Sequence, residues 1–142
     1  MYKDPSDHMK HICYGYNLQT TVTAKSDFSI IGADLDAVKA GTQCLSSHQC
    51  DQLLNHDVVH AYIGMENIYG EGGKKIGCTC ATYVVVEMVY DLGQPVILTY
   101  NNFNNLLEQQ NWQGAVADLK KTKWCGQNAS RCTAGSNQIL TC

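Results

Sequence analysis

The sequence predicts an α+β fold in which a small β-containing lobe precedes a mainly helical lobe. The first 18 residues combine aromatic and β-branched side chains with a Pro-Ser-Asp turn, which is the pattern of a β-hairpin. Apolar residues then recur at helical spacing through most of the chain. With 142 residues, of which 44% are hydrophobic, the chain can bury one core. We expect a single domain with a β-containing lobe over 1–45, a connecting helix over 46–64 and a helical lobe over 65–142.

The first two helices are predicted from apolar spacing and from cap residues. A helix is expected over 26–40, where four apolar side chains share one face: Phe28, Ile31, Leu35 and Val38. Gly32 weakens that prediction, and Gly41 is expected to end the helix. Ser46 or Ser47 is a suitable N-cap for a second helix, which we expect to continue to about residue 63. The glycine-rich segment 70–77 is predicted to be a loop.

Residues 80–92 form the most apolar segment of the chain. Their β-branched content alone would also suit a buried strand. The length of about three turns and the glycine at position 93 favour a helix that is buried on most sides. Three shorter helices are expected after it, over 100–108, 112–121 and 131–140.

Charge and hydropathy exclude two classes of partner. The net charge is −3 and only 16% of residues are charged, so no basic stripe is available to neutralise nucleic-acid phosphates. The one local basic cluster, Lys120, Lys121 and Lys123, is interpreted as a solvated helix face. No apolar run approaches the ~18 residues needed to span a bilayer, so we expect no membrane insertion. The sequence shows no signal peptide, so a secreted protein would be represented in mature or trimmed form.

Eight cysteines indicate disulfides and an oxidising compartment, and hence secretion. Spacing favours a Cys44–Cys50 bridge at a helix start and a Cys125–Cys132 bridge around a turn. One further bridge is expected to fix the carboxy terminus to the central helix, drawn from the remaining four: Cys13, Cys78, Cys80 and Cys142. The Asn128-Ala129-Ser130 sequon also fits secretion.

Several segments together resemble the phage-type lysozymes, which are glycoside hydrolases. The resemblance begins with Tyr2-Lys3-Asp4 and the strand that follows, and continues through 45–58 and 87–93. It ends with six positions of the carboxy-terminal helices: Trp112, Leu119, Lys121, Trp124, Gln127 and Arg131. Each piece is weak by itself, whereas their common order is specific. The cysteines suggest a secreted, disulfide-reinforced branch, with a lysozyme-like fold.

The resemblance implies a catalytic centre that is only partly present in this sequence. Glycoside hydrolysis uses an acid that protonates the leaving oxygen and a carboxylate on the opposite side of the bond. By resemblance, Asp4 is the second group. The first is a Glu on an amino-terminal helix ahead of it, and no residue of this chain matches that Glu. His11 occupies the position of a Thr that holds the attacking water, where an imidazole could orient water, act as a base or attack directly.

The resemblance also implies substrate-binding positions and leaves one arginine without its usual partner. The implied contacts to the glycan are Gly15, Asn17, Tyr90, Asp91, Phe103 and Asp118. The only arginine, Arg131, matches a residue that pairs with the catalytic Glu of the family, and here another carboxylate would have to replace that Glu. Without the family's first helix, the apolar face of Ala81, Val85 and Met88 is expected to need cover from a second copy or from a further amino-terminal segment.

Two histidine arrangements have the residue types of a metal site: Asp4 with His8 and His11, and His56 with His60. Both lack a third or fourth ligand, so they are interpreted as surface histidines, and neither metal nor any other cofactor is expected.

Two functions follow from the resemblance. The first is a muramidase, an antibacterial or digestive lysozyme that cleaves the β-1,4 bond between N-acetylmuramic acid and N-acetylglucosamine in peptidoglycan. It requires either a further amino-terminal segment that carries the acid Glu or another group that supplies the acid. The second is a non-catalytic, secreted lysozyme-like protein with a glycan-binding, structural or recruited role. The absent Glu, His11 in place of the family's Thr, and the net charge of −3 favour the second function. The charge counts against hydrolysis of bacterial walls because those walls are anionic.

Overall fold

The structure, a computed structural model, describes residues 1–3, 8–19 and 21–142. In these residues the fold is α+β, mostly helical with a small antiparallel sheet, which confirms the predicted class. The chain divides into two compact units: an amino-terminal unit of residues 1–57 and a carboxy-terminal unit of residues 58–142. None of the described helices is long and apolar enough to cross a bilayer.

The sheet of the amino-terminal unit has three short strands in sequence order. They are β1 (Tyr2–Lys3), β2 (Lys10–Ile12) and β3 (Tyr16–Asn17). His11 on the central strand pairs with Tyr2 on one side and with Asn17 on the other. The predicted hairpin therefore gains a third strand, because a tight turn with Gly15 at a φ of 105° reverses the chain after β2.

Two short helices replace the single helix predicted over 26–40. They are α1 (Ala24–Ile30) and α2 (Leu35–Ala40). Gly32 has a φ of 67°, and Asp34 starts α2 by accepting hydrogen bonds from the backbone N–H groups of Asp36 and Ala37. Gly41 ends α2 in a left-handed conformation, as predicted. The core of this unit is formed by apolar side chains of the sheet and helices: Ile12, Tyr16, Leu18, Ala24, Phe28, Ile31, Val38 and Leu53.

The long helix α3 (Ser47–Tyr69) begins where its cap predicts. The hydroxyl of Ser46 accepts a hydrogen bond from the backbone N–H of Gln49, and the side-chain oxygen of Gln49 accepts one from the backbone N–H of Ser46. This reciprocal pair is a capping box. The helix continues past residue 64, the predicted end, and stops before Gly70, which has a φ of 81°.

The carboxy-terminal unit packs short helices around one apolar helix. After a 3-10 turn (Glu71–Gly73) come α4 (Thr79–Leu92), α5 (Gln94–Leu98), α6 (Asn101–Glu108), α7 (Trp112–Leu119), α8 (Lys123–Gln127) and α9 (Ala129–Ile139). The helical interpretation of 80–92 is confirmed. The sequence does not predict α5 and α8, because five residues are too few to show a helical period.

The expectation that α4 exposes an apolar face is wrong. Ala81, Val85 and Met88 are each 0% exposed within this single chain. Their cover comes from helices of the same unit, which share one core with α4. The expected second copy or further segment is therefore not needed to shield this face.

Three disulfides connect the described residues, which confirms a disulfide-rich chain. They are Cys13–Cys50, Cys78–Cys142 and Cys125–Cys132. The Cys125–Cys132 prediction is confirmed, as is the bridge from the carboxy terminus to the central helix, since Cys78 directly precedes α4. The Cys44–Cys50 prediction is wrong, and Cys44 and Cys80 form no disulfide in the described structure. This density of disulfides is typical of extracellular proteins.

The contact between α3 and α4 depends on Gly64, and we expect Gly64→Ala to destabilise the chain. A Cβ at this buried position would lie 2.8 Å from Cγ1 of Val89, whose β-branched side chain is buried and stiff. Overpacking of this kind costs about 1–3 kcal/mol, against about 1 kcal/mol gained in helix propensity. Gly126→Ala in α8 is the matched control, because no atom lies within 4 Å of its Cβ. Chemical denaturation should place the two variants about 1–3 kcal/mol apart, and equal stabilities would contradict this role of Gly64.

Candidate functional site

Four side chains of the carboxy-terminal unit form a polar group that we call the arginine cluster. It consists of Glu87 and Asp91 on α4, Trp124 on α8 and Arg131 on α9. Arg131 donates a short hydrogen bond from Nη1 to Oδ1 of Asp91, and its Nε lies 3.6 Å from Oε1 of Glu87. The indole N–H of Trp124 donates to the other Asp91 oxygen, Oδ2, at 2.8 Å. Both oxygens of Asp91 are therefore held by donors from two different helices.

Local sequence explains how the cluster assembles. Glu87 and Asp91 are four residues apart on α4, so they lie on the same helix face. Thr122 caps α8 by accepting a hydrogen bond from the backbone N–H of Cys125, and the helix that follows buries Trp124 completely. The Cys125–Cys132 disulfide joins α8 to α9 next to Arg131. The guanidinium is thereby brought to the carboxylates of α4.

The electrostatics of the cluster distinguish its two carboxyl groups. Asp91 is 11% exposed and receives a charge-assisted hydrogen bond from Arg131, which raises the pKa of the arginine. Burial raises the pKa of Glu87, the charge of Asp91 raises it further, and Arg131 acts in the opposite direction. Glu87 is thus the carboxyl of this cluster that keeps its proton to higher pH than an ordinary glutamate.

This raised pKa predicts a pH-dependent contribution to stability. A carboxyl whose folded pKa lies above its unfolded value favours the folded state while it is protonated. This contribution to the free energy of unfolding is lost as pH rises through the raised pKa of the folded state. We expect the free energy of unfolding of the native chain to fall relative to that of Glu87→Gln over this window. The difference should stay below about 1 kcal/mol, because solvent screens a side chain that is 41% exposed. Thermal unfolding from pH 4 to 8 tests this, and parallel curves for both proteins would contradict it.

The interpretation of His11 as a surface histidine is wrong, because the structure gives His11 a buried position in the sheet. It is 8% exposed, and its Nδ1–H donates to the carbonyl of Gly15 at 2.9 Å. Its ring also stacks on Tyr2, with 5.7 Å between ring centroids. Gly15 therefore contributes a carbonyl acceptor in the turn. Asn17 accepts a hydrogen bond from the backbone N–H of Gln19 and donates one to the sulfur of Met9.

The other predicted positions fall into different environments. Asp4 lies outside the described residues, and His8 is exposed with a φ of 59°. Phe103 is 0% exposed in the core, so its side chain presents no surface to a glycan. Asp118 lines an open surface pocket with residues that include Tyr100 and Lys121. Tyr90 contributes to the electrostatic environment of Arg131.

A second polar group lies in the amino-terminal unit and is not predicted from the sequence. Asp27 on α1 is 1% exposed, and its Oδ1 lies 3.3 Å from Nδ1 of His56 on α3. Asp57 is close enough for the charge of Asp27 to act on it. One sequence feature could have indicated this group. Asp27 directly precedes the apolar Phe28 on a helix with a buried face, so its carboxylate was a candidate for burial.

Comparison with known proteins adds no family to this description. No protein-family model matches the chain, and no curated protein matches it.

Proposed function

We propose that this chain is a secreted, lysozyme-type hydrolase that cleaves the β-1,4 bond between N-acetylmuramic acid and N-acetylglucosamine in peptidoglycan. The observation that carries the proposal is the arginine cluster. The resemblance to phage-type lysozymes implies an arginine that pairs with a catalytic carboxyl group, and Arg131 contacts both Asp91 and Glu87. The helical order of the chain and its sheet of short strands are consistent with the lysozyme-like fold implied by the resemblance.

In this proposal Glu87 is the proton donor of the reaction. Cleavage needs a carboxylic acid that is still protonated when it meets the glycosidic oxygen. Glu87 meets the electrostatic requirement through its raised pKa, and its partial exposure allows contact with a ligand. Asp91 is engaged by Arg131 and Trp124, which suits it to positioning the arginine rather than to donating a proton. Asp4 keeps the role implied by resemblance, that of the carboxylate that stabilises positive charge on the sugar.

The proposal is tested by reducing-end release from insoluble peptidoglycan, measured from pH 4 to 8. Glu87→Gln should lower the rate by about 100-fold or more, which is the usual contribution of a general acid. Glu71→Gln is the matched control, because Glu71 is exposed in the 3-10 turn away from the cluster; its rate should change less than twofold. Asp4→Asn should also abolish release. Full activity of Glu87→Gln would refute the assignment of the acid, and absence of release by the native chain would refute hydrolysis.

A second function, glycan binding without hydrolysis, is favoured by the position of His11. The resemblance assigns this residue to the place where the attacking water is held. In the structure its ring is buried, stacked on Tyr2 and hydrogen-bonded to Gly15, which suits a structural role. Co-sedimentation with peptidoglycan separates the two functions. Retention of the native chain on the glycan without release of reducing ends would establish the binding protein, and failure of both assays would exclude both functions.

A further inference from the structure

We propose that Asp27, His56 and Asp57 form a binding site for a divalent transition-metal cation of the zinc class. Each residue offers one ligand atom, and the three atoms all lie within 4.8 Å of one another. The three residues belong to the amino-terminal unit and share no residue with the arginine cluster. The metal-site proposal can therefore be tested independently of the proposed hydrolase activity.

The spacing of two of these atoms suits ligands that converge on one ion. Oδ1 of Asp27 and Nδ1 of His56 are 3.3 Å apart. Tetrahedral zinc with ligand bonds of about 2.0–2.1 Å separates neighbouring ligand atoms by about 3.3 Å. The two atoms are close enough for a hydrogen bond, yet Oδ1 accepts none from the described residues. A buried carboxylate oxygen without a hydrogen-bond donor is rare, and a cation would satisfy it.

The other oxygen of Asp27 is fixed by neighbouring hydroxyl groups. Oδ2 accepts a hydrogen bond from the hydroxyl of Tyr16 at 2.6 Å and another from that of Thr23 at 2.8 Å. These bonds hold a carboxylate that is 1% exposed and leave Oδ1 directed towards α3. Hydroxyl groups that orient a ligating carboxylate in this way are the outer shell expected around a metal ion.

The charges of the three ligands also fit a divalent cation. Asp27 and Asp57 supply two negative charges, and a neutral imidazole completes the set. Burial and the charge of Asp27 raise the pKa of Asp57 to about 6. A dication would offset this repulsion between the carboxylates. A mixed set of one nitrogen and two oxygen ligands suits zinc, whereas calcium and magnesium prefer oxygen ligands only.

The experiment titrates the full chain with Zn²⁺ by isothermal titration calorimetry after EDTA treatment and dialysis. We expect one saturable site per chain. His56→Gln and Asp57→Asn should each weaken zinc binding at least ~10–100-fold, as loss of a ligand should cost no less than loss of an outer-shell partner. His60→Gln, one turn further along α3, is the matched control and should change the affinity less than twofold. Asp27→Asn is avoided, because it also perturbs the acceptor of Tyr16 and Thr23.

The free thiols require a separate control, since thiolates bind zinc. The double variant Cys44→Ser and Cys80→Ser should bind Zn²⁺ as the native chain does. Three outcomes would overturn the proposal: no saturable binding, unchanged affinity in both His56→Gln and Asp57→Asn, or loss of binding in the cysteine variant. The first of these would leave His56 and Asp27 as an ion pair only. Mg²⁺ in place of Zn²⁺ should give no comparable heat.

Discussion

Replacing Cys78 and Cys142 together by serine is expected to lower the free energy of unfolding by about 4 kcal/mol, a large fraction of the stability of a domain of this size. This bridge spans 64 residues of sequence, which is the longest loop closed by the three disulfides of the described residues. In the chain-entropy description, the stabilisation by a disulfide grows with the length of the loop that it closes. Urea denaturation followed by circular dichroism measures the loss.

The matched control for this prediction is the double serine variant of Cys125 and Cys132, which are only seven residues apart. The chain-entropy model gives a stabilisation of about 2.5 kcal/mol for that shorter loop. The decisive result is therefore which of the two variants loses more stability. A larger loss for Cys125 and Cys132 would show that the local link between α8 and α9 matters more than loop closure. That outcome would contradict the prediction.

Trp124→Ala is expected to cost about 3–5 kcal/mol, the usual range for removal of a large aromatic side chain from a core. The ring is 0% exposed, and its indole N–H is one of the two donors to Asp91. The substitution therefore opens a cavity and also leaves Oδ2 of Asp91 without this donor. Trp124→Phe retains most of the buried area but removes the N–H, so about 2 kcal/mol should be lost.

The two tryptophan variants also connect stability with the candidate site. If the protein has the proposed hydrolase activity and the hydrogen bond to Asp91 positions Arg131, then Trp124→Phe should lower peptidoglycan cleavage even at temperatures where the protein is fully folded. Circular dichroism at the assay temperature provides the control for folding. Equal stabilities of Trp124→Phe and Trp124→Ala would contradict the packing argument for this residue.

Signals between neighbouring residues predicted the helix boundaries better than they predicted the disulfide partners. The capping box at Ser46, the left-handed Gly41 and the apolar run before Gly93 each depend on neighbouring residues only, and each marks a helix boundary in the structure. The bond between Cys13 and Cys50 depends instead on a turn of the sheet lying against the start of α3, where Tyr14 also donates to Asp51. Spacing alone favoured the nearer Cys44 and could not reveal this contact.

The residue partners in the two candidate sites also could not be predicted from local sequence. Asp91 and Arg131 are 40 residues apart, so only the resemblance suggested an unusual partner for the arginine, and only packing could identify it. Asp27 and His56 lie on different helices, and no local pattern joins them. The sequence pattern pairs His56 with His60, because residues four apart share a helix face. In the structure a carboxylate oxygen of Asp27 on α1 lies 3.3 Å from Nδ1 of His56.

The disulfide pattern has a consequence for proteolysis. Both cysteines of the Cys13–Cys50 bridge lie within residues 1–57. The cysteines of Cys78–Cys142 and Cys125–Cys132 all lie within 58–142. A single cut of the backbone after Asp57 would therefore leave no disulfide of the described structure joining the two pieces. Each piece would retain its own cross-links, so denaturation after such a cut would separate the two pieces without a reductant.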